Sequence, residues 1–286
     1  MTIDQRLQYE NQGFLHLPGL IPPALVERVR RAFDAAAAHY YDEWKTLVAQ
    51  GKANPSFFDI PDILDQDDAF VELVDLPGLL PVLLGAVGAD IQLNHTHARV
   101  FPPGKTFTAP WHSDLAEVIG IDLAHSLNFF VKVHFYFEDL LPNQGCLAFL
   151  PGTHRLPRDY PRPRIEDIEH SPAVVKIVPK AGDCVLFNTH CLHMALDNTS
   201  PKTRKSLIYA YSHFWVKNYA NGVPRDLEKY ATNRLRRQMF GVEEEGVSYF
   251  DQRYDAEGKT GDDSPWHSAS RRLLSKIRRA TSITRH

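Results

Sequence analysis

Apolar positions along this chain change their spacing twice. Over residues 24 to 38, Leu25, Val29, Ala32, Phe33 and Ala36 recur at three- and four-residue intervals, opposite Glu27, Arg28, Arg30 and Arg31. That is the period of one face of an α-helix, and it predicts an amphipathic helix laid over a core. The stretch before it, "NQGFLHLPGLIPP", alternates apolar residues and closes on proline. A second helical region, about 67 to 86, carries Phe70, Leu73 and Val74 but is interrupted by Pro and Gly, which predicts two short helices.

From about residue 91 to 217 the pattern shortens to "DIQLNHTHARVF", "LNFFVKVHFYFED", "CLAFLPG", "AVVKIV", "DCVLFN" and "SLIYAYSHFWV", each bounded by Pro, Gly, Asn or Asp. Serial short β-rich runs of this kind predict a sandwich, barrel or jelly roll with the helices packed outside it. Beyond residue 224 the chain turns polar and helix-prone again, with "PRDLEKYATNRLRRQMF", an acidic run at 243 to 245 and a basic end, "RRLLSKIRRATSITRH". Such a charge run reads as a solvated helix rather than a membrane contact. The expected organisation is one domain over residues 1–286: a helical part to about residue 90, a β core over about 91–217 and a helical C-terminal extension over about 218–286.

Composition narrows the function. A chain that is 43% hydrophobic and 23% charged is globular and large enough for a sizeable core. A formal net charge of -3 supplies no basic field for a phosphate backbone, so nucleic acid is not an expected partner. The opening "MTIDQRLQYENQGF" lacks the apolar core of a secretory signal, and the most apolar stretch, Leu76 to Ala89, is broken by Pro77, Gly78, Pro81, Gly85 and Gly88. No membrane span is expected, and the cytoplasm is the expected compartment. Three cysteines without a CxxC pair, Cys146, Cys184 and Cys191, fit reducing conditions and argue against a zinc reading of Cys191 beside His190 and His193. No G-x-S-x-G or G-x-G-x-x-G occurs, and "FPPGKT" has Arg99 where a phosphate-binding loop needs its first glycine.

The chemistry gathers around "APWHSDLAEV". With 14 His and 22 Asp among 286 residues, roughly one His-x-Asp arises by chance, so His112-Ser113-Asp114 decides nothing alone. On a strand, however, its imidazole and carboxylate share a face. They then make two ligands of the 2-His-1-carboxylate set that leaves positions open on Fe(II). Candidates for the remaining histidine lie in "AGDCVLFNTHCLHMALDNTSPKTRKSLIYAY", at His190 and His193.

This segment resembles the distal-ligand region of the phytanoyl-CoA dioxygenase family of Fe(II)/2-oxoglutarate oxygenases, where a His is followed by an Asn-x-Ser turn and, 11 residues after the His, an Arg. His193, Asn198, Ser200 and Arg204 stand in those places, and His190 does not. "GFLHLPGLIPPALVERVRRAF" resembles the family's strand-then-helix opening, and "FEDLLPNQGCLAFLPGTHR" its strand, Asn-Gly turn and Pro-Gly-Ser-His segment. Gln144 between Asn143 and Gly145, Thr153 in place of Ser, and Met194-Ala195 after the distal His depart from the pattern. The likeness spans about residues 10 to 215.

The resemblance implies a double-stranded β-helix (jelly-roll, cupin-like) core with flanking helices. It implies Fe(II) held by the catalytic residues His112, Asp114 and His193, with 2-oxoglutarate as cosubstrate and O2 as oxidant. Arg204 would grip the distal carboxylate of 2-oxoglutarate, a role suited to a planar, permanently charged guanidinium, and Ser206 on the same strand face would add a hydroxyl. The implied reaction hydroxylates a small organic metabolite while 2-oxoglutarate becomes succinate and CO2. Halogenating relatives lack the carboxylate ligand, so Asp114 points to hydroxylation. Two other readings stand beside it: a cupin-like zinc hydrolase or isomerase, and a non-catalytic metabolite-binding jelly roll. His95, His97 and His134 lie on expected strands and could face the pocket. Phe129, Phe130, Phe135, Tyr136, Tyr209, Phe214 and Trp215 suit either pocket or core.

Overall fold

The computed structural model describes residues 1–104, 111–114, 128–157, 171–218 and 222–242. The acidic run at 243–245 and the basic end therefore lie outside the described residues. Helix α1 (Ile3–Gln12) starts behind Thr2, whose hydroxyl accepts the Gln5 N–H while the Gln5 side chain accepts from Thr2 N. This reciprocal cap satisfies two of the donors that a helix start leaves open. Gly13, at φ 84°, ends the helix in a left-handed turn and releases strand β1 (Phe14–Leu17) directly.

Helix α2 (Pro23–Ala49) covers the expected segment but continues well beyond residue 38. No glycine or proline interrupts it before Gly51, and its second half still finds packing: the Trp44 ring stacks on Phe58 at 5.1 Å, and Tyr40 lies against the core. Strand β2 (Phe58–Asp59) and two short helices, α3 (Asp68–Glu72) and α4 (Leu80–Val87), follow. The strands then come in series: β3 (Ile91–Phe101), β4 (Phe130–Phe135), β5 (Leu147–Phe149), β6 (Val175–Ile177), β7 (Cys184–Asn188), β8 (His193–Ala195) and β9 (Arg204–His213). Two short helices, α5 (Leu227–Tyr230) and α6 (Arg234–Met239), close the described chain.

The strands form the two antiparallel sheets of a jelly roll, a six-stranded one ordered β1-β7-β4-β9-β3-β2 and a three-stranded one ordered β6-β5-β8. Period-two alternation divides the large sheet's side chains between two environments. On one face Val131, Val133 and Phe135 of β4, Leu207, Tyr209 and Tyr211 of β9, and Leu186 of β7 join the apolar stripes of α2, α3 and α4 in the main core. Tyr209 and Tyr211 donate their phenol protons to the carbonyls of Phe70 and Val74 at 2.7 and 2.9 Å, which fastens the helical layer to β9 without leaving a buried hydroxyl unpaired.

The other face looks toward the small sheet. Phe14, Val185 and Phe187 meet Leu147, Phe149, Cys146 and Cys191 there, and all three cysteines are buried thiols. Lys132, His134, Arg204, Ser206 and Ile208 share that side but line a cavity. Among the described residues no helix is long and apolar enough to cross a membrane.

Candidate active site

The cavity between the sheets, about 170 Å³, is where the sequence candidates meet. His112 forms an antiparallel bridge with His193: each backbone N–H donates to the other's carbonyl, at 3.2 and 3.1 Å. The two histidines are thus fixed opposite one another by main chain, not by side-chain packing alone, and their rings lie 4.5 Å apart. His193 in turn pairs with Phe149 of β5, and its imidazole sits against the Phe187 ring at 4.6 Å. Asp114 does not continue a strand from His112, which forms only an isolated bridge, yet its carboxylate reaches both imidazoles. Its Oδ2 lies 3.6 Å from His193 Nε2, and its Oδ1 4.0 Å from His112 Nε2.

His112, Asp114 and His193 each offer a ligand atom within 4.8 Å of the other two, and they form the one such group among the described residues. Several features suit a cation. Buried Asp114 Oδ2 accepts no hydrogen bond. His193 Nδ1 lies 2.9 Å from the Cys191 carbonyl, which can only accept, so the ring proton sits on Nδ1 and the Nε2 lone pair faces the cavity. Burial lowers the His193 pKa to about 4, although Asp114 opposes the shift, so the ring is neutral at physiological pH. Burial pushes the Asp114 carboxyl up, but Lys132 and the two histidines outweigh it and hold the group ionised, below the usual carboxylate range. His190 stands outside this group, two residues beyond Asn188, whose side chain accepts its backbone N–H.

Arg204 and Ser206 line the same cavity from β9. Arg204 is 2% exposed, and its Nη2 donates to Ser206 Oγ at 3.4 Å while Nε finds no acceptor. Among the described residues no carboxylate pairs with it. Burial foremost, with the Arg99 charge adding to it, lowers its pKa, and the Phe101 ring 5.0 Å from the guanidinium carbon gives partial compensation. A buried cation with free donors is costly unless a ligand brings the anion. Gly145 makes room for it: at φ 72°, a Cβ there would stand 3.0 Å from Arg204 Cδ and from the Leu196 carbonyl oxygen. The Asn143-Gln144-Gly145 turn is therefore also the back wall of the arginine.

The Asn-x-Ser turn explains the interval from His193 to Arg204. Ser200 donates to Asn198 Oδ1 from both its backbone N and its Oγ, and Asn198 Nδ2 donates to the Lys202 carbonyl. This closed turn carries the chain from β8 in the small sheet to β9 in the large one, so both side chains enter one cavity from opposite walls. Thr153, where the family pattern has Ser, keeps the needed hydroxyl: it accepts the Leu192 N–H at 2.9 Å, just ahead of His193.

Of the other histidines, His97 and His134 line the cavity, and both are neutral because burial, reinforced by nearby cations, depresses their pKa values, that of His97 to about 4. His95 is buried outside the lining. The aromatic candidates are mostly core: Phe135 and Tyr209 belong to the main cluster, Phe129 and Phe130 to a small one, while Phe101 and Phe187 supply the cavity's aromatic walls. Sequence reasoning passed over Lys132, whose Nζ donates to Asp114 Oδ1 at 2.8 Å. The signal was present, since Lys132 is the sole charged residue in the apolar run from Phe129 to Phe137.

Two imidazoles and a carboxylate converging in a jelly roll, with open space beside them, are the donor set of the non-haem Fe(II) oxygenase class. The model of the phytanoyl-CoA dioxygenase (PhyH) family matches residues 9–206, and the chain belongs to that family. It is accordingly an Fe(II)/2-oxoglutarate-dependent dioxygenase. The human peroxisomal phytanoyl-CoA dioxygenase is 29% identical over 238 residues, covering 72% of this chain and 67% of its own. Ectoine dioxygenase of Nocardia farcinica is 21% identical over 246 residues, 78% of this chain and 82% of its own. Two solved structures share the fold. HygX from Streptomyces hygroscopicus, with nickel, 2-oxoglutarate and hygromycin B bound, has a TM-score of 0.57 at 17% identity over 77% of this chain and 90% of that one. SnoK, an α-ketoglutarate-dependent carbocyclase from nogalamycin biosynthesis, has a TM-score of 0.57 at 20% identity, over 75% and 85%.

Proposed function

We propose that His112, Asp114 and His193 hold the Fe(II), that Arg204 and Ser206 seat the distal carboxylate of 2-oxoglutarate, and that the enzyme hydroxylates a small organic metabolite within one oxygenase domain. The observation that carries this reading is the convergence of the three donors and the unpaired buried guanidinium on one cavity. Bound iron supplies the activation of O2, with 2-oxoglutarate oxidised to succinate and CO2.

The chain's own residues do the rest. His193 is oriented by the Cys191 carbonyl, and His112 by its backbone pairing with His193, so the donor set is assembled before any ligand arrives. Arg204 offers Nε and its terminal nitrogens to a carboxylate, and Ser206 Oγ lies beside them. Neutral His97 and His134, with Phe101, Phe187 and Ile208, shield the cavity from bulk water and leave it hospitable to a compact organic substrate. The human relative is named as peroxisomal. Three buried thiols fit a reducing compartment, and the cytosol is the one proposed for this chain.

The test is succinate release across a panel of small metabolites, with Fe(II), O2 and 2-oxoglutarate omitted in turn. Asp114→Ala and His193→Ala are expected to abolish turnover, and His190→Ala to retain it. Turnover supported by zinc without O2, or a dead His190→Ala beside a healthy His193→Ala, would overturn the assignment.

A further inference from the structure

The two oxygens of Asp114 have different surroundings. Oδ1 accepts from Lys132 Nζ at 2.8 Å, whereas Oδ2 is buried, accepts nothing and faces His193 Nε2 at 3.6 Å. The ion pair is well sheltered, its side chains 15% and 14% exposed. Lys132 is also held firmly at its base. It lies on β4, the strand between β7 and β9, opposite Phe187 on one side and Ala210 on the other, and its neighbours Val131 and Val133 are fully buried in the main core. The ammonium therefore comes from a wall of the large sheet, and Asp114 from the short segment bridged to β8.

A carboxylate can bind a metal through one oxygen or both. In this cavity a metal reached by His112 and His193 finds Oδ2 free, while taking Oδ1 as well would break a charge-assisted hydrogen bond in a sheltered site. Three single-atom protein ligands on an octahedral ion leave three positions, the number that a chelating keto acid and O2 need together. A two-oxygen Asp114 would remove one of them.

Resting on the site assignment above, we propose that Lys132 is a positioning residue that occupies Asp114 Oδ1 and so restricts this carboxylate to one metal bond, through Oδ2. Lysine suits the task because its ammonium neutralises Oδ1 yet can ligate nothing itself while protonated. The cost is repulsion between ammonium and metal, so removing Lys132 should not weaken metal binding. It should instead weaken the cosubstrate's hold on the metal.

The experiment uses the full chain under anaerobic conditions with Mn(II), which supports no turnover. Mn(II) affinity, the number of exchangeable metal-bound waters by proton relaxation, and 2-oxoglutarate affinity of the loaded protein are measured for wild type, Lys132→Met and Lys132→Arg. Expected for Lys132→Met are Mn(II) binding at least as tight as wild type, one fewer exchangeable water, and 2-oxoglutarate binding weaker by about 10- to 100-fold, the size by which partners of metal ligands act on metal affinity or activity. Lys132→Arg should restore the water count. Unchanged water count and 2-oxoglutarate affinity in Lys132→Met, or loss of its Mn(II) binding with the fold intact, would overturn the proposal. A crystal structure of Mn(II)-loaded wild type decides the same point if the methionine variant does not fold: one Asp114 oxygen on the metal and the other on Lys132 is expected, and two on the metal refutes it. Asp114→Ala separates the levels, since wild-type Mn(II) binding by that variant would overturn the site assignment itself.

Discussion

Arg204, proposed to seat the distal carboxylate of 2-oxoglutarate, should be worth more to that ligand than to the fold. Its guanidinium is buried with Nε unpaired, and among the described residues it has no acidic partner, so in the ligand-free protein it is a desolvated charge with incomplete compensation. Replacing it by methionine, which fills similar volume without charge, should leave the thermal midpoint of the ligand-free protein at or above wild type. On the proposed assignment the same change would remove charge-assisted hydrogen bonds worth about 1.5–3 kcal/mol, so half-saturation by 2-oxoglutarate should need about 10- to 150-fold more cosubstrate. Steady-state succinate assays and thermal scans read the two effects separately. A lowered midpoint with unchanged cosubstrate demand would make Arg204 a structural residue. The arginine was singled out through the family resemblance, by its place 11 residues after His193, but Gly145 behind it was not: a glycine at a turn has many causes, and only the packed structure shows that a Cβ would crowd Arg204 and the Leu196 carbonyl.

At the scale of elements, all six short β-rich runs bounded by turn residues became strands, β3, β4, β5, β6, β7 and β9. Strand β8 was not legible, because His193-Met194-Ala195 has no period of its own and exists through pairing with β5 on one side and His112 on the other. Lys132 stood out as a lone charge in an apolar run, but its partner Asp114, 18 residues earlier, is brought beside it only by the fold. Long-range ties of this kind also set the pH response. The Asp183 carboxylate, ahead of β7, accepts from Gly19 N and Lys180 N, each at 2.9 Å, and meets His16 Nε2 at 2.8 Å, joining the turn after β1 to the start of β7. Burial pushes its pKa up, but these donors prevail and hold it below the ordinary 3.8. A carboxyl lowered on folding stabilises above its unfolded pKa, and that stability fades as pH falls through the folded value. Asp183→Asn should therefore lose about 1–3 kcal/mol in urea melts at neutral pH, and the gap from wild type should narrow as pH falls below the ordinary carboxylate value of 3.8. A gap of equal size at both pH values would show that charge is not the source.

For the whole molecule, the site is a joint between two sheets, and ligands should bind the sheets to one another. His193 belongs to the small sheet, Arg204 and Lys132 to the large one, and His112 and Asp114 to a segment bridged to β8. Without ligands the cavity holds a carboxylate oxygen lacking a donor and a guanidinium nitrogen lacking an acceptor. On the proposed assignment a metal would satisfy the first and the distal carboxylate of 2-oxoglutarate the second, with both ligands in one cavity. Each ligand thus improves the site for the other, a coupling that must be reciprocal. At about 100 times its dissociation constant a ligand adds about 2.7 kcal/mol, and for a chain of this size each kcal/mol raises the midpoint by about 2–4 °C. Mn(II) with 2-oxoglutarate should therefore raise the anaerobic midpoint by about 5–10 °C or more over the chelator-treated protein. 2-Oxoglutarate alone should contribute little, and Asp114→Ala should show no combined shift. If 2-oxoglutarate alone gave the full rise, it would be binding away from the metal donors, and the shared cavity would not be the cosubstrate site.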